Sequence, residues 1–311
     1  MHTGRREGVT VAQLVRRSLA LGMVLLAAAC GGGGEDSSPP PAPVQHGEIA
    51  IDGLSRPYRV FVPPTLDRSR PAPLVVVLHG GNGSIDDIVR ATLFDREAAE
   101  GGFIVAYPEA TMKAWNAGTC CGSAPRRNPD DVGFIGRVLD ELLAGYPVDP
   151  SRVFLTGVSN GAMMAYRFAC EHADRVTAVG SVAGAVVHPG CQPSRPVSVL
   201  EIHGTDDPLI PYLGGKPDAP EAAGSAPYTA TRDMARQWAD WNGCPAAAPP
   251  RVDGPVTTES WGGCRNGSAV SLVTVQGGGH IWFASGLGPA NGALDATATI
   301  WRFFGGLRPA G

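Results

Sequence analysis

From residue 47 onward, short and wholly apolar runs alternate with longer amphipathic ones, an order that few folds accept. "APLVVVLHGG" (72–81), "GFIVAYPEA" (102–110), "RVFLTGVS" (152–159), "VTAVGSVAG" (176–184), "VSVLEIHG" (197–204) and "AVSLVTVQGGGH" (269–280) read as strands. Their unbroken Val/Leu/Ile content is that of strands covered on both faces. Helical periodicity fills the spaces between them, first from about Ile85 to Glu100. It returns in "PDDVGFIGRVLDELLAGY", with Asp130 or Asp131 as N-cap, and in "NGAMMAYRFACEHA", "ATRDMARQWADWNG" and "ALDATATIWRFFGG". At the front, "GEIAIDG" and "YRVFVPP" alternate apolar with polar residues and predict an antiparallel pair. Strands alternating with helices call for an α/β architecture, a mostly parallel sheet with helices on both faces. With 43% hydrophobic and 17% charged residues, the 311-residue chain can bury the core that such a sheet needs. The Gly-, Pro- and Ala-rich stretches 112–130 and 208–229 are expected to be loops rather than second domains. Both follow strands, where open α/β sheets place their ligand sites.

The first thirty residues belong to processing. Arg5, Arg6, Arg16 and Arg17 precede "SLALGMVLLAAAC", an apolar run too short to span a bilayer, which takes about 20 residues. A basic start, a short apolar centre and small residues before a cleavage point describe a secretory signal over 1–29. "AAAC" has two readings: a cut after Ala29 that frees a soluble protein, or a lipobox in which Cys30 carries lipid. The usual lipobox has Leu three residues before the Cys, where this chain has Ala27. The lipoprotein is favoured, because "GGGGEDSSPPPAP" follows directly and makes residues 30–46 a Gly/Ser/Pro tether with nothing to build a core. The expected domain is 47–311, in a periplasmic or extracellular setting, touching a membrane only through Cys30. Net charge is −4 for the whole chain and −7 without residues 1–29, which gives no hint of nucleic-acid binding, for which a basic stripe is needed.

Cysteine usage agrees with export. Beyond Cys30 there are six: Cys120, Cys121, Cys170, Cys191, Cys244 and Cys264. Six cysteines allow fifteen pairings, among which sequence alone does not choose. Proximity along the chain favours Cys244–Cys264 and Cys170–Cys191, leaving the neighbours Cys120 and Cys121 for each other. A metal site is disfavoured, since the chain has no C-x-x-C and no histidine at ligand spacing.

The chemistry centres on "TGVSNGAMM" (156–164), where Gly157-Val158-Ser159-Asn160-Gly161 fits the G-x-S-x-G of a nucleophile elbow. Taken alone, Ser159 is as well explained as a helix N-cap. Its position between a strand and a helix is what an elbow requires. The helix N-terminus behind it offers free N–H groups and a positive dipole end to an oxyanion. A serine hydroxyl needs a base, and the base an orienting acid, in the order Ser, acid, His. Of the histidines after Ser159, His280 follows the last strand behind three glycines and is the expected base. His172 sits at a helix end, and His203 in "IHGTDD" reads as a structural turn residue. The acid belongs to "EIHGTDDPLIPY", where Asp206 and Asp207 both qualify. Oxyanion donors are expected from Asn160 and from the Gly80–Gly81 turn after "VVVLHGG".

Together these segments resemble the secreted esterase family of polyhydroxybutyrate depolymerases and feruloyl or acetyl-xylan esterases. "VVLHGG" is similar to its oxyanion strand, and "WNAGTCCGSA" with "DDVGFI" to its central segment. "GVSNGAMM" is similar to its elbow, "HGTDDPLIPY" to its acid loop, and "GGGH" before Ile-Trp to its histidine loop. The likeness runs from about residue 47 to 306. It implies an α/β-hydrolase fold, Asp207 rather than Asp206 as the acid, and Gly81 as the second oxyanion donor. Where the family usually continues "HTWPG", this chain has "HIWFASG", so the wall near Trp282 and Phe283 departs from the pattern. Trp115, Tyr212 and Trp282 are candidates to contact substrate; for each, a core or rim aromatic is the alternative. No extra polymer-binding domain is visible, which points to short soluble esters or oligomers.

The reading is an exported serine carboxylesterase acting on hydroxyalkanoate oligomers or feruloyl and acetyl esters, with no metal or organic cofactor. A serine peptidase of the same fold would share the triad but commonly carries a large cap, for which this chain has no room. A non-catalytic surface binding protein would not need Ser, Asp and His in hydrolase order.

Overall fold

A computed structural model describes residues 43–217 and 226–307. The signal segment 1–29, Cys30 and the tether as far as residue 42 lie outside the described residues. The first strand begins at Val44, so the last three residues assigned to the tether are paired in the sheet.

Ten strands form one sheet: β1 (Val44–Ile51), β2 (Leu54–Phe61), β3 (Ala72–Leu78), β4 (Ile104–Pro108), β5 (Val148–Val158), β6 (Ala178–Val182), β7 (Ser198–Gly204), β8 (Arg251–Asp253), β9 (Val256–Trp261) and β10 (Val270–Val275). They lie in the order β1-β2-β4-β3-β5-β6-β7-β10-β9-β8. The six from β4 to β10 run parallel, flanked by the antiparallel pair β1–β2 and the antiparallel β9 and β8. The helices are α1 (Ile85–Thr92), α2 (Phe94–Gly101), α3 (Ala124–Arg127), α4 (Asp131–Gly145), α5 (Asn160–Glu171), α6 (Thr231–Trp241) and α7 (Ala296–Gly305). This is the α/β-hydrolase fold.

The core has one layer on each face of the sheet, and β3 shows why. Leu74, Val76 and Leu78 point to the layer of Val138, Phe168 and Trp238 from α4, α5 and α6. Val75 and Val77 point to the layer of Ile88, Phe94, Ile300 and Phe304 from α1, α2 and α7. A strand buried on both faces has no position to spare for a polar residue, hence its continuous apolar run.

Two elements differ from expectation. The helix predicted over 85–100 is two, broken at Leu93, whose φ is +53°. On one straight helix Phe94 and Ala98 would project roughly 120° away from Ile88 and Thr92. The break turns both pairs into the core, where all four are buried. Unexpected too is the hairpin of β8 and β9, joined through Gly254 and Pro255, with Gly254 at φ +56° as such tight turns require. The cysteines pair as Cys120–Cys121, Cys170–Cys191 and Cys244–Cys264.

The N-cap of α4 is Asp130, whose Oδ1 accepts from Gly133 N at 2.8 Å. Asp131 turns inward instead. Its Oδ1 lies 2.6 Å from a guanidinium nitrogen of Arg56, both side chains being buried, in an ion pair less well aligned than a good hydrogen bond. Burial lowers the Arg56 pKa and raises that of Asp131, each shift opposed by the partner's charge. The guanidinium also stacks 3.8 Å from the Phe134 ring. Asp131 Oδ2 accepts from Asn116 N at 2.6 Å, so the pair fixes the segment beside Trp115. Arg56→Met leaves this carboxylate buried and unpaired. The expected loss is about 3–5 kcal/mol of unfolding free energy, read from denaturant titration.

Candidate active site

The elbow is built by crowding. Gly161, in the first turn of α5, packs so near the end of β3 that an added Cβ would lie 2.3 Å from Leu78 O and 2.4 Å from His79 O. Gly157 is hemmed in likewise, 2.7 Å from Gly161 C and from Leu78 O. Between them Ser159 takes φ +56° and ψ −123°, a conformation that costs a non-glycine residue about 1–3 kcal/mol. Its N–H donates to Val182 O at 2.9 Å, and its carbonyl accepts from Met163 N as α5 begins. Ser159 makes no side-chain cap to the helix it precedes. The N–H of Asn160 opens the helix, where no intrahelical acceptor exists.

The glycine turn after β3 reaches the elbow. An ideal Cβ on Gly80 would lie 3.6 Å from Ser159 Cβ, and one on Gly81 would lie 3.8 Å from Asn160 Cβ. His79, unremarked in the sequence, sets this turn. Ala110 N donates to its Nε2 at 3.0 Å, so Nδ1 carries the proton, and it donates to Gly80 O at 2.8 Å. Burial lowers the His79 pKa and keeps the ring neutral. In a trans peptide the N–H points opposite to the C=O, so holding Gly80 O back turns Gly81 N–H outward.

Trp115 and Trp282, candidate substrate contacts, are core residues. Trp115 is fully buried; its Nε1 donates to His79 O at 2.9 Å, and its backbone N–H and C=O pair with the Asn160 carboxamide at 2.7 and 3.0 Å. It therefore ties the glycine turn after β3 to the start of α5, with its ring buried. Trp282 donates from Nε1 to Thr297 Oγ1 and packs edge-on against Phe94. Tyr212 is half-buried, its hydroxyl 2.7 Å from Thr274 Oγ1.

Asp207 and His280 meet. His280 Nδ1 is 2.7 Å from Asp207 Oδ2, with the carboxylate buried and the imidazole slightly exposed. Asp207 Oδ1 accepts from Leu209 N and Ile210 N, both at 2.8 Å. Asp206 points to solvent, receiving the Thr205 hydroxyl. Ser159, Asp207 and His280 follow β5, β7 and β10, which run parallel, so all three emerge at one edge of the sheet. Close packing of the last two loops is forced at Gly204, where a Cβ would lie 2.1 Å from Gly278 O.

A second histidine stands behind Asp207. His203, wholly buried, has Nδ1 2.9 Å from Glu201 Oε1 and Nε2 2.9 Å from Ile210 O, with Asp207 Oδ2 at 3.3 Å. Burial alone would lower its pKa, but the bonds to Asp207 and Glu201 outweigh burial and lift it from 6.5 to about 10. Burial would likewise raise the Asp207 pKa, and hydrogen bonds from His203 and His280 instead hold it far below the usual carboxylate range. Nothing in "EIHGTDD" beyond the placement of His203 near three acidic residues signals this pairing.

A family model described as "Esterase PHB depolymerase" matches residues 56–209. A Nocardia uniformis subsp. tsuyamanensis protein named as an esterase, NocK, is 35% identical over 76% of this chain and 73% of its own length. Feruloyl esterase B of Piromyces equi is 30% identical over 67% of this chain, which spans 39% of that protein. Among solved structures, an acetyl xylan esterase from Aspergillus awamori superposes with a TM-score of 0.59 at 17% identity, over 84% of this chain and 99% of that one. At that identity the likeness is one of fold.

Two outcomes are expected. Asp207→Asn lowers ester turnover by orders of magnitude in steady-state kinetics, whereas Asp206→Asn leaves it within a few-fold. Because the folded-state pKa of His203 is raised, its contribution to stability is whole below about pH 6.5. That contribution is lost as pH climbs toward about 10. Thermal melting from pH 6.5 to 10 should show a falling Tm, with a shallower fall in His203→Gln.

Proposed function

Because the chain belongs to the esterase family of polyhydroxybutyrate depolymerases and feruloyl and acetyl-xylan esterases, we propose that it hydrolyses carboxylic esters through a serine acyl-enzyme. The observation that carries this reading is the 2.7 Å His280–Asp207 bond at the sheet edge where Ser159 occupies its strained turn. His280 Nε2 takes the Ser159 proton as Oγ attacks the ester carbonyl. The carbonyl oxygen becomes an oxyanion facing the N–H groups of Asn160 and Gly81. His280 then protonates the leaving alcohol, and the same imidazole activates the water that releases the acid. Asp207 keeps the proton of the resting ring on Nδ1 and stabilises the imidazolium as it forms.

The substrate class proposed is a short ester, either feruloyl or acetyl on a sugar or a hydroxyalkanoate oligomer. A groove of about 210 Å³, lined by Thr119, Val187, His188, Tyr228 and Thr229 and by none of Ser159, Asp207 and His280, is the proposed place for the part of the substrate remote from the reacting bond. Val187 and His188 in its wall lie on the loop that leaves β6 just after Val182, the residue bonded to Ser159 N. Hydroxyl and imidazole groups among apolar ones suit a ligand with both polar and apolar parts. The disulfides support export, since such bonds persist in oxidising compartments. The basic and apolar start of the chain supports a cleaved signal, with lipid on Cys30.

The test is a panel of p-nitrophenyl acetate, methyl ferulate, a hydroxybutyrate oligomer and a peptide amide, offered to the protein and to Ser159→Ala. Ester turnover that falls by roughly 10⁴ or more in the variant is expected. Amide cleavage without ester turnover, or an active Ser159→Ala, would overturn the reading.

A further inference from the structure

Both ring nitrogens of His203 face acceptors. Ile210 O can only accept, so Nε2 carries a proton. On the other side Glu201 is a receiver of donors: Tyr166 OH reaches Oε2 at 2.9 Å, and Gly184 N reaches Oε1 at 3.2 Å, the oxygen 2.9 Å from His203 Nδ1. A carboxylate with donors on both oxygens, beside a ring whose other nitrogen is protonated, is matched by an imidazolium. A line of groups thus runs inward from the site: His280, Asp207, His203, Glu201, Tyr166. From the remaining neighbours, Tyr212 presents its ring edge-on at 6.1 Å, and Thr274 on β10 pairs beside His203 in the sheet. Among the described residues, the ion pairs of Glu201 and Asp207 are with histidines alone.

The arrangement solves an electrostatic problem. A cation set beside Asp207 alone would orient the carboxylate but cancel the charge that His280 needs when it becomes protonated. A second buried anion restores it. We propose that His203, held as an imidazolium between Glu201 and Asp207, is a positioning residue for the ester hydrolysis, aiming Asp207 at His280, while Glu201 supplies the counter-charge that leaves Asp207 negative toward His280. The inner pair is then neutral as a unit, and its removal in halves has opposite electrostatic signs. His203→Gln strips a cation from behind Asp207, which strengthens the negative field at His280. Glu201→Gln strips an anion and leaves His203 to neutralise Asp207, which weakens that field.

This inference rests on the serine-triad reading. Its test is the pH dependence of kcat/KM on p-nitrophenyl acetate for the protein, His203→Gln, Glu201→Gln and the double variant. In His203→Gln the acid limb should move to higher pH by on the order of one unit; in Glu201→Gln it should move to lower pH. Both single variants should lose roughly 10- to 100-fold in kcat/KM at pH 7, and the double variant should return the limb close to its original position. A purely structural role would lower activity and leave the limb where it was. Independently of any variant's folding, [¹⁵N]histidine NMR of the unaltered protein at pH 8 should show one histidine protonated on both ring nitrogens, assigned to His203 through its backbone correlations. A neutral His203 at pH 8, or an acid limb unmoved in both single variants, would overturn the inference. Full ester turnover by Ser159→Ala would instead overturn the triad reading beneath it.

Discussion

The site depends on how closely the start of α5 can approach the end of β3. With Gly161 only 2.3 Å short of the Leu78 carbonyl for any added carbon, the helix N-terminus and the turn after β3 occupy one small volume. That crowding sets Ser159 in its turn, brings Gly80 and Gly81 alongside it, and leaves the Asn160 side chain facing the Trp115 backbone. The carboxamide matches both the N–H and the C=O of Trp115, as a neighbouring strand would. Trp115 in turn grips His79. Two hydrogen bonds of this kind, buried at a residue with no exposure, position more than they stabilise, since the net worth of each is about 1 kcal/mol. What they fix is the relative placement of the Ser159 turn and the Gly80–Gly81 turn, which no single strand could secure.

Electrostatics completes what packing begins. The charged groups of this interior come in partnered sets: Arg56 in an ion pair with Asp131, Asp207 with four donors, Glu201 with three. Each set sits where a strand and a helix, or a strand end and a loop, must hold a fixed separation. The Arg56–Asp131 pair does so for the segment leading into Trp115, and the histidine pairs do so for the loops after β7 and β10. Because a buried charge without its partner is costly, each set makes a wrong loop arrangement expensive as well as the native one favourable.

Most of the architecture was legible because burial on both faces leaves a one-dimensional trace. The runs around Val75, Val105, Phe154, Val179 and Leu200 could be nothing but central strands, and the elements between them had helical period. The break at Leu93 left no such trace, since it answers to where Phe94 and Thr92 find core partners, and neither proline nor glycine marks it. The β8–β9 hairpin was hidden for a different reason: β8 has three residues, all exposed, and so no hydrophobic alternation. At the site, the order of Ser159, Asp207 and His280 could be read from the chain. The direction of a side chain could not. Trp115 and Trp282 sit in the segments expected, yet both turn inward, toward acceptors on His79 and Thr297. His203 was read as a turn residue because its partners, Glu201 and Asp207, are acidic residues like many others until the strand end folds them onto one ring.

The same short β8 has a consequence for the molecule in company. A sheet of ten strands ends in a row of unpaired amide groups, and such a row is a template on which another chain can crystallise into a fibril. Here the outermost strand offers only Arg251, Val252 and Asp253, a lone exposed valine between opposite charges, closed by a glycine–proline turn that cannot lengthen it. Edge growth therefore meets a three-residue ledge with no apolar register to copy. On this flank the parallel centre ends in the shortest strand among the described residues.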